Sequence, residues 1–303
     1  MDWLDNTRIV ALERCPRSYY WRHEKNLTKS SAISAALLYG SCVHKAFEEG
    51  LKHIKAGGTQ ERAYAIALDA FKSRWEEEDI NNLELMEDDW RGYGSFNEAF
   101  MSWWPSTLEA ISFWPNLEIV EARLAVPVPN TKDWEYRCRV DLCLSNGGSY
   151  MIVDHKTTSR SISLATNIYV NSPQITTYAW AWSRYKQKDV VIGAAYNFLH
   201  SAKRRTKTGW GKLSVDHGFV PVAVTPKILW MMERRITQAV EEIRSRRYTN
   251  NWPLRLSQCQ GRYDTCEFKL LCDNIGFDSP HDSYVEYALE SGYVIEEWDP
   301  FQL

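Results

Sequence analysis

The chain has 303 residues, 44% of them apolar, enough for one large packed domain or two small ones. A net charge of −3 means that a polyanionic partner must be met by a local basic patch rather than by the whole surface. No run of eighteen apolar residues occurs, and Met1-Asp2-Trp3-Leu4-Asp5 has neither the basic region nor the apolar core of a leader, so a membrane span and a signal peptide are not expected and the cytoplasm is the expected compartment.

In chain order, Asn6 or Thr7 is the expected cap of a short helix ending at Arg14, and Pro16 opens a second turn through Tyr19-Tyr20-Trp21. A helix is predicted over 35–55, stopped by Gly57-Gly58. Thr59 caps the next, through Trp75, and a tryptophan-rich helix covers about 97–114. The periodicity then changes to two, and 118–128, 134–144 and 149–157 read as strands. Ser172-Pro173 starts a helix through Gln174, Tyr178, Trp182 and Tyr185, and 189–200 reads as a further strand. Strand, helix, strand in that order predicts a parallel crossover onto the hairpin sheet. Thr225-Pro226 begins a last long helix to about Arg247. Neither repeats nor a low-complexity linker break the chain, so one domain with a helical N-terminal part is expected: 1–115 mainly helical, 116–250 an α/β core, 251–303 a cysteine-bearing segment and tail. The absence of Gly-x-x-x-x-Gly-Lys-Ser/Thr argues against a fused ATPase.

The chemistry concentrates in the hairpin. Cys138-Arg139-Val140-Asp141-Leu142 and Tyr150-Met151-Ile152-Val153-Asp154-His155-Lys156-Thr157 flank Asn146-Gly147-Gly148, a strong turn signal. Asp154 and Lys156, two apart on a strand, share a face. A turn of two residues, or of four, places Asp141 opposite Ile152 on that same face, whereas a three-residue turn would move it to the other. Val140, Leu142 and Leu144 then point one way and Arg139, Asp141 and Cys143 the other. Carboxylates that hold a divalent cation beside a lysine are what metal-assisted phosphodiester cleavage needs; scattered charges on a solvated hairpin are the bland alternative.

Other elements keep two readings by spacing alone. His44 lies inside an amphipathic helix, where a lone histidine is commonly a packed residue and less often a ligand. Gln174 and Tyr178 share a helical face, which is a half-polar packing face or the lining of a site. Glu121 is a further acid of the site or a surface strand residue. The basic stretch Lys203, Arg204, Arg205, Lys207, Trp210 and Lys212, with Arg244, Arg246 and Arg247, is a solvated loop and helix end, or a phosphate-tracking groove with Trp210 available for base stacking. Seven cysteines in a reducing compartment are not expected to pair. Cys259, Cys266 and Cys272, with Cys15 far away in sequence, are buried hydrophobes, a zinc site or an iron–sulfur site, and four thiolates alone do not separate the metals. The tail Glu296-Glu297-Trp298-Asp299-Pro300-Phe301 packs, is loose, or docks on a partner.

Taken together, the motifs resemble the PD-(D/E)xK nuclease superfamily, specifically the RecB-like exonucleases and the related CRISPR-associated iron–sulfur nucleases. Cys15-Pro16-Arg17-Ser18-Tyr19-Tyr20 looks like the family's N-terminal Cys-Pro motif, and Gly40-Ser41-Cys42-Val43-His44 like its Gly-x-x-Val-His helix. Arg139-Val140-Asp141 matches the strand of the first catalytic aspartate, Asp154-His155-Lys156-Thr157 the acid-x-Lys-Thr core, and Gln174-Ile175-Thr176-Thr177-Tyr178 the Gln-x-x-x-Tyr helix. Two positions depart: Cys138 stands where the family has glycine, and the terminal cysteines are spaced Cys259-x6-Cys266-x5-Cys272. The resemblance implies an α/β restriction-endonuclease-like core, a small mixed sheet with flanking helices, plus an N-terminal helical subdomain and a C-terminal cysteine cluster. It implies Mg²⁺ or Mn²⁺ on His44, Asp141, Asp154 and the His155 carbonyl, with Lys156, Gln174 and Tyr178 completing the catalytic set. It also implies a [4Fe–4S] cluster on Cys15, Cys259, Cys266 and Cys272, zinc being the alternative, and Cys42, Cys138 and Cys143 left free. The implied activity is a DNA exonuclease on single strands or duplex ends, in recombination or repair. A stand-alone chain of this kind suits a phage or prophage, with a recombination or single-strand-binding protein as a possible partner. A scaffold that has lost catalysis and an endonuclease of the same fold are the rivals.

Overall fold

The computed structural model describes residues 1–29, 34–79, 89–187, 191–207, 209–259, 265–276, 280 and 283–301. In chain order the elements are β1 (Asp2–Leu4), α1 (Asn6–Arg14), α2 (Pro16–Tyr19), β2 (Leu27–Lys29), α3 (Ala35–Lys55), α4 (Gln60–Asp79), α5 (Tyr93–Ile111), β3 (Asn116–Pro127) and β4 (Trp134–Asn146). They continue with β5 (Ser149–Thr158), α6 (Ile162–Tyr169), α7 (Gln174–Tyr185), β6 (Val191–Thr206), β7 (Gly209–Val222), α8 (Pro226–Thr249), α9 (Lys269–Ile275), α10 (Ser283–Glu290) and β8 (Tyr293–Ile295). The chain divides into two compact units, Ala32–Leu124 with Arg139–Leu229, and Met1–Ser31 with Ala125–Cys138 and Trp230–Leu303. Among the described residues no helix is long and apolar enough to cross a membrane.

In the first of these units β4, β5, β6 and β7 lie side by side in that order, with β3 also paired to β4. The β4–β5 and β6–β7 pairs are antiparallel, and β5–β6 is parallel, joined through α6 and α7. The crossover read from the sequence is therefore present. Val140 to Leu144 are all buried, Cys143 included, so the face of β4 that carries Asp141 is covered as well as the core face. One side of the sheet packs an aromatic cluster of α3, α4 and α5, in which the Phe71 and Phe96 rings stack at 3.9 Å and Phe47, Phe100, Trp103 and Trp104 are buried. Trp103 donates its Nε1–H to the carbonyls of His200 and Asp216 (3.2 and 3.0 Å), satisfying a buried indole and fastening α5 to β6 and β7.

Two expectations need correction here. The hairpin turn is Gly147-Gly148, with Asn146 paired to Ser149, so Cys143 faces Ile152 and the register is two residues from the one expected. Both glycines have positive φ (57° and 86°), which a two-residue hairpin turn of the favoured hand requires at both central positions and which glycine adopts without strain. A shift of two preserves parity, so the inference that Asp141 shares a face with Asp154 is unaffected. The basic stretch is the second: it is the end of β6 and the start of β7, a long hairpin in which Arg205 pairs with Trp210, and not a loop.

In the other unit β1 pairs in parallel with the start of β4, Asp2 to Trp134, and β2 pairs with β8. The cap of α1 is Asp5, one residue before the expected position; its carboxylate accepts the Arg8 N–H at 2.7 Å. Trp252 stacks on Tyr19 (5.8 Å), and the buried Arg17 donates Nε–H to the Trp252 carbonyl at 2.6 Å. The acidic tail is packed: Trp298 donates to Asp5 at 2.7 Å.

Candidate active site

The site is built where the β4–β5 ladder ends. The last registered pair is Leu142 with Val153, and one further step sets Asp141 opposite Asp154. There the Asp141 carboxylate accepts the His155 N–H (Oδ2, 2.8 Å), a side chain bonding the backbone of the neighbouring strand. The same oxygen lies 3.3 Å from His44 Nδ1. Asp154 Oδ2 lies 2.7 Å from Lys156 Nζ. Asp154 is 2% exposed and Asp141 9%, so the two acids are held almost out of water.

α3 delivers His44, and Gly40 one turn earlier explains how. A Cβ at Gly40 would stand 3.2 Å from Thr157 Oγ1, closer than most such contacts, so glycine there lets the helix lie against β5. This is a packing reason for the Gly-x-x-Val-His spacing.

The charges are interdependent. Burial pushes Asp141 up, but the His44 imidazole beside it, His155 and Lys156 together hold the carboxyl below its ordinary range. Asp154 is raised to about 6, by burial first; Lys156 opposes this and the Asp141 charge adds to it. Burial lowers His44, yet Asp141, with a smaller contribution from Asp154, leaves its pKa raised. Lys156 follows the same logic: burial lowers it, Asp154 and Asp141 raise it further. The four groups thus form two opposite-charge pairs close enough to perturb each other.

Glu121 joins them. It is half-buried, pairs with Arg139 (2.8 Å), and is raised to about 7 by burial, with Arg139 lowering it and Asp141 raising it. Its φ of 59° is uncommon for a non-glycine residue and marks local strain in β3. Of the two readings for Glu121, the structure favours the acid beside the site over the surface strand residue.

On the other face of β5 the His155 ring enters a buried polar network unseen in the sequence. Asn197, directly across the parallel ladder, donates its amide to His155 Nδ1 (2.8 Å) and to Thr107 Oγ1 (3.1 Å). The Asn197 carbonyl accepts from His217 Nε2 (2.7 Å). This direction of donation leaves His155 its proton on Nε2. Burial lowers His155 to about 4, so the ring is neutral. It also lies against Phe47, centroids 4.8 Å apart.

Gln174 and Tyr178 share a face of α7, as expected, and Gln174 Nε2 donates to Tyr178 Oη at 2.8 Å. Tyr169 of α6 was not anticipated: its ring lies 5.9 Å from Lys156 Nζ and packs on Tyr196 and Phe198, which face Asp154 and Lys156 across the β5–β6 ladder. In the basic hairpin Lys203 is half-buried, and Arg204, Arg205, Lys207 and Trp210 are exposed. The Arg205 guanidinium covers the Trp210 ring at 5.0 Å, so the indole carries a cation on its face.

Cys15, Cys259, Cys266 and Cys272 line one small cavity. Cys272 is pushed up to about 12 by burial, Arg17 opposing and the other three cysteines adding; Cys259 is raised by burial, Cys266 and Cys15. Cys42, Cys138 and Cys143 are buried in α3 and β4, and no cysteine is in a disulfide. Among the described residues no group of three or more His, Cys, Asp or Glu side chains is drawn together as a metal-holding cluster.

The family model of the PD-(D/E)XK nuclease superfamily matches residues 6–273, and the chain belongs to that superfamily. It is therefore a nuclease, its mixed sheet and flanking helices are the restriction-endonuclease-like core, and Mg²⁺ or Mn²⁺ and DNA are the metals and substrate typical of such proteins. No curated protein matches the chain. It is similar to the solved structure of SSO0001 at 14% identity and a TM-score of 0.26, over 77% of this chain and 85% of that one.

Proposed function

We propose that this protein is a metal-dependent DNA exonuclease acting in recombination or repair in the cytoplasm, with Asp141, Asp154, Lys156, Gln174 and Tyr178 as its catalytic set. The observation that carries this reading is the meeting of His44 with Asp141 and of Lys156 with Asp154 at one end of the β4–β5 ladder. Two buried carboxylates and an imidazole are a donor set suited to Mg²⁺ or Mn²⁺. His44, Asp141, Asp154 and the His155 carbonyl would hold the ion. When bound it supplies Lewis-acid charge and a more acidic water.

The protein's own groups do the rest. Lys156, a cation against Asp154, orients the attacking water and stabilises charge developing on the phosphate oxygens. The Gln174–Tyr178 pair presents an amide and a phenol to the strand backbone or to Lys156. Lys203, Arg204, Arg205 and Lys207 contact phosphates, and Trp210 under Arg205 offers a stacking surface. A recombination or single-strand-binding protein is the partner this role calls for, and a phage or prophage the setting.

In the same reading Cys15, Cys259, Cys266 and Cys272 carry a structural [4Fe–4S] cluster, with zinc as the alternative. The support is their shared cavity, together with Cys259 and Cys272 thiols raised first by burial and then by neighbouring cysteines, a shift that a bound metal would reverse. Anaerobic purification with absorbance, iron and zinc assays tests it: iron and a visible chromophore are expected, and a colourless protein with one equivalent of zinc replaces the cluster.

Activity is tested by a time course on 5′- and 3′-labelled single strands, duplexes and closed circles with Mg²⁺ or Mn²⁺. Progressive loss from ends is expected. Cutting of closed circles would make the protein an endonuclease, and binding without cutting would make it a scaffold.

A further inference from the structure

Immediately beyond Lys156, at the C-terminal end of β5, lies a cavity of about 380 Å³ lined by Tyr39, Arg91, Thr158, Arg160, Ile168 and Tyr169, among others. No acidic residue is among its described lining residues, while two guanidinium groups are. Arg91 is steadied by Asp89 (2.8 Å) and Arg160 is exposed, so the cavity favours an anion that stays partly in water. Tyr39 is 3% exposed, and its hydroxyl has no hydrogen-bond partner of good geometry, although the Ser201 and Ser95 hydroxyls are close enough to influence it.

The wall opposite in character is apolar and aromatic. Ile168 is 43% exposed and Tyr169 offers a ring. Tyr169 also ties the cavity to the reacting groups, since its ring is 5.9 Å from Lys156 Nζ. The volume is at the low end of the ~300–1,000 Å³ of small-molecule sites, room for one nucleotide and not for a base pair.

We propose that this cavity is a subsite for a single unpaired nucleotide adjacent to the scissile phosphate, its phosphate held by Arg91 and Arg160 and its base against Tyr169 and Ile168. This rests on the nuclease reading above and deepens it: the scissile position must be single-stranded, so duplex ends are attacked only where they open.

The test is abasic scanning. Single strands carrying one abasic site at successive positions are bound to the full-length protein with Ca²⁺ in place of Mg²⁺, and intact single strands and blunt duplexes are cut in parallel with Mg²⁺. One position beside the cleaved bond is expected to bind about tenfold more weakly when abasic, the scale of one lost base stack. Tyr169→Phe should keep that penalty and Tyr169→Ala should lose it. Ile168→Glu, at an exposed position, should weaken binding of intact strand about tenfold by setting a hydrated carboxylate where the base packs. Blunt duplexes should be cut at least about tenfold more slowly than single strands. A uniform response to abasic sites, an unchanged penalty in Tyr169→Ala, or equal rates on duplex and single strand would overturn the subsite. If wild-type protein cuts no DNA, the nuclease reading fails, while a position-specific abasic penalty would still support the cavity as a nucleotide site.

Discussion

Asn197→Leu removes the hub of the buried network at nearly constant volume. His155 Nδ1 and Thr107 Oγ1 lose their donor, and both residues are buried, 2% and 0% exposed. Each buried polar group left unpaired costs about 1–3 kcal/mol. Thr107 retains His217 at 3.4 Å and takes the low end, about 1 kcal/mol, and half-buried His217 can bond water instead and adds little, so the full range applies to His155 alone. The expected loss is about 2–4 kcal/mol, a substantial part of the ~5–15 kcal/mol typical of a folded domain. It should register as a lower guanidinium midpoint with an unchanged slope. Because His155 stands between Asp154 and Lys156, kcat should also fall, by about tenfold, with little change in KM. Thr107→Val, which removes one hydroxyl, should cost about 1 kcal/mol. An Asn197→Leu protein within about 0.5 kcal/mol of wild type, the range of ordinary surface changes, would show that these buried hydrogen bonds do not stabilise the fold.

Two further outcomes follow from the charges. His44 has a raised folded pKa, so its pairing with Asp141 stabilises the metal-free protein fully below the ordinary histidine value near 6.5 and is lost as pH rises through the folded value; Asp141, lowered, contributes above the ordinary value of 3.8 and is lost as pH falls through its own. His44→Gln should therefore cost more stability at about pH 5.5 than at about pH 9, and an equal cost at both would contradict the pair. Replacing Arg204 and Lys207 together by alanine should reduce the slope of log affinity against log salt by about 2, while an unchanged slope would remove the hairpin from the DNA interface.

Much of the core was legible because local signals agreed with tertiary need. Ser34 caps α3 through the Leu37 N–H, and the helix spans Ala35–Lys55 as its periodicity implied. The parallel crossover followed from element order. What failed has physical causes. β7 was missed because the alternation of Leu213 and Val215 with Lys212, Ser214 and Asp216 is broken at His217-Gly218, and the preceding basic turn made the stretch read as loop. The register slipped because two consecutive glycines outcompete Asn-Gly for the turn. The Asn197 network was invisible because its members are separated by 42, 20 and 90 residues, and no local pattern encodes a contact of that range. Asp141 could be placed on the right face, but not its bond to the His155 N–H, which depends on where the ladder stops.

The central claim is that Asp154 and Lys156 perform phosphodiester hydrolysis. The most direct measurement is the rate of end-labelled DNA cleavage with Mg²⁺ or Mn²⁺ by wild type, Asp154→Ala and Lys156→Ala, with folding checked by the denaturation midpoint. The account predicts folded variants slower by several powers of ten. Cleavage near the wild-type rate by either purified variant would contradict it.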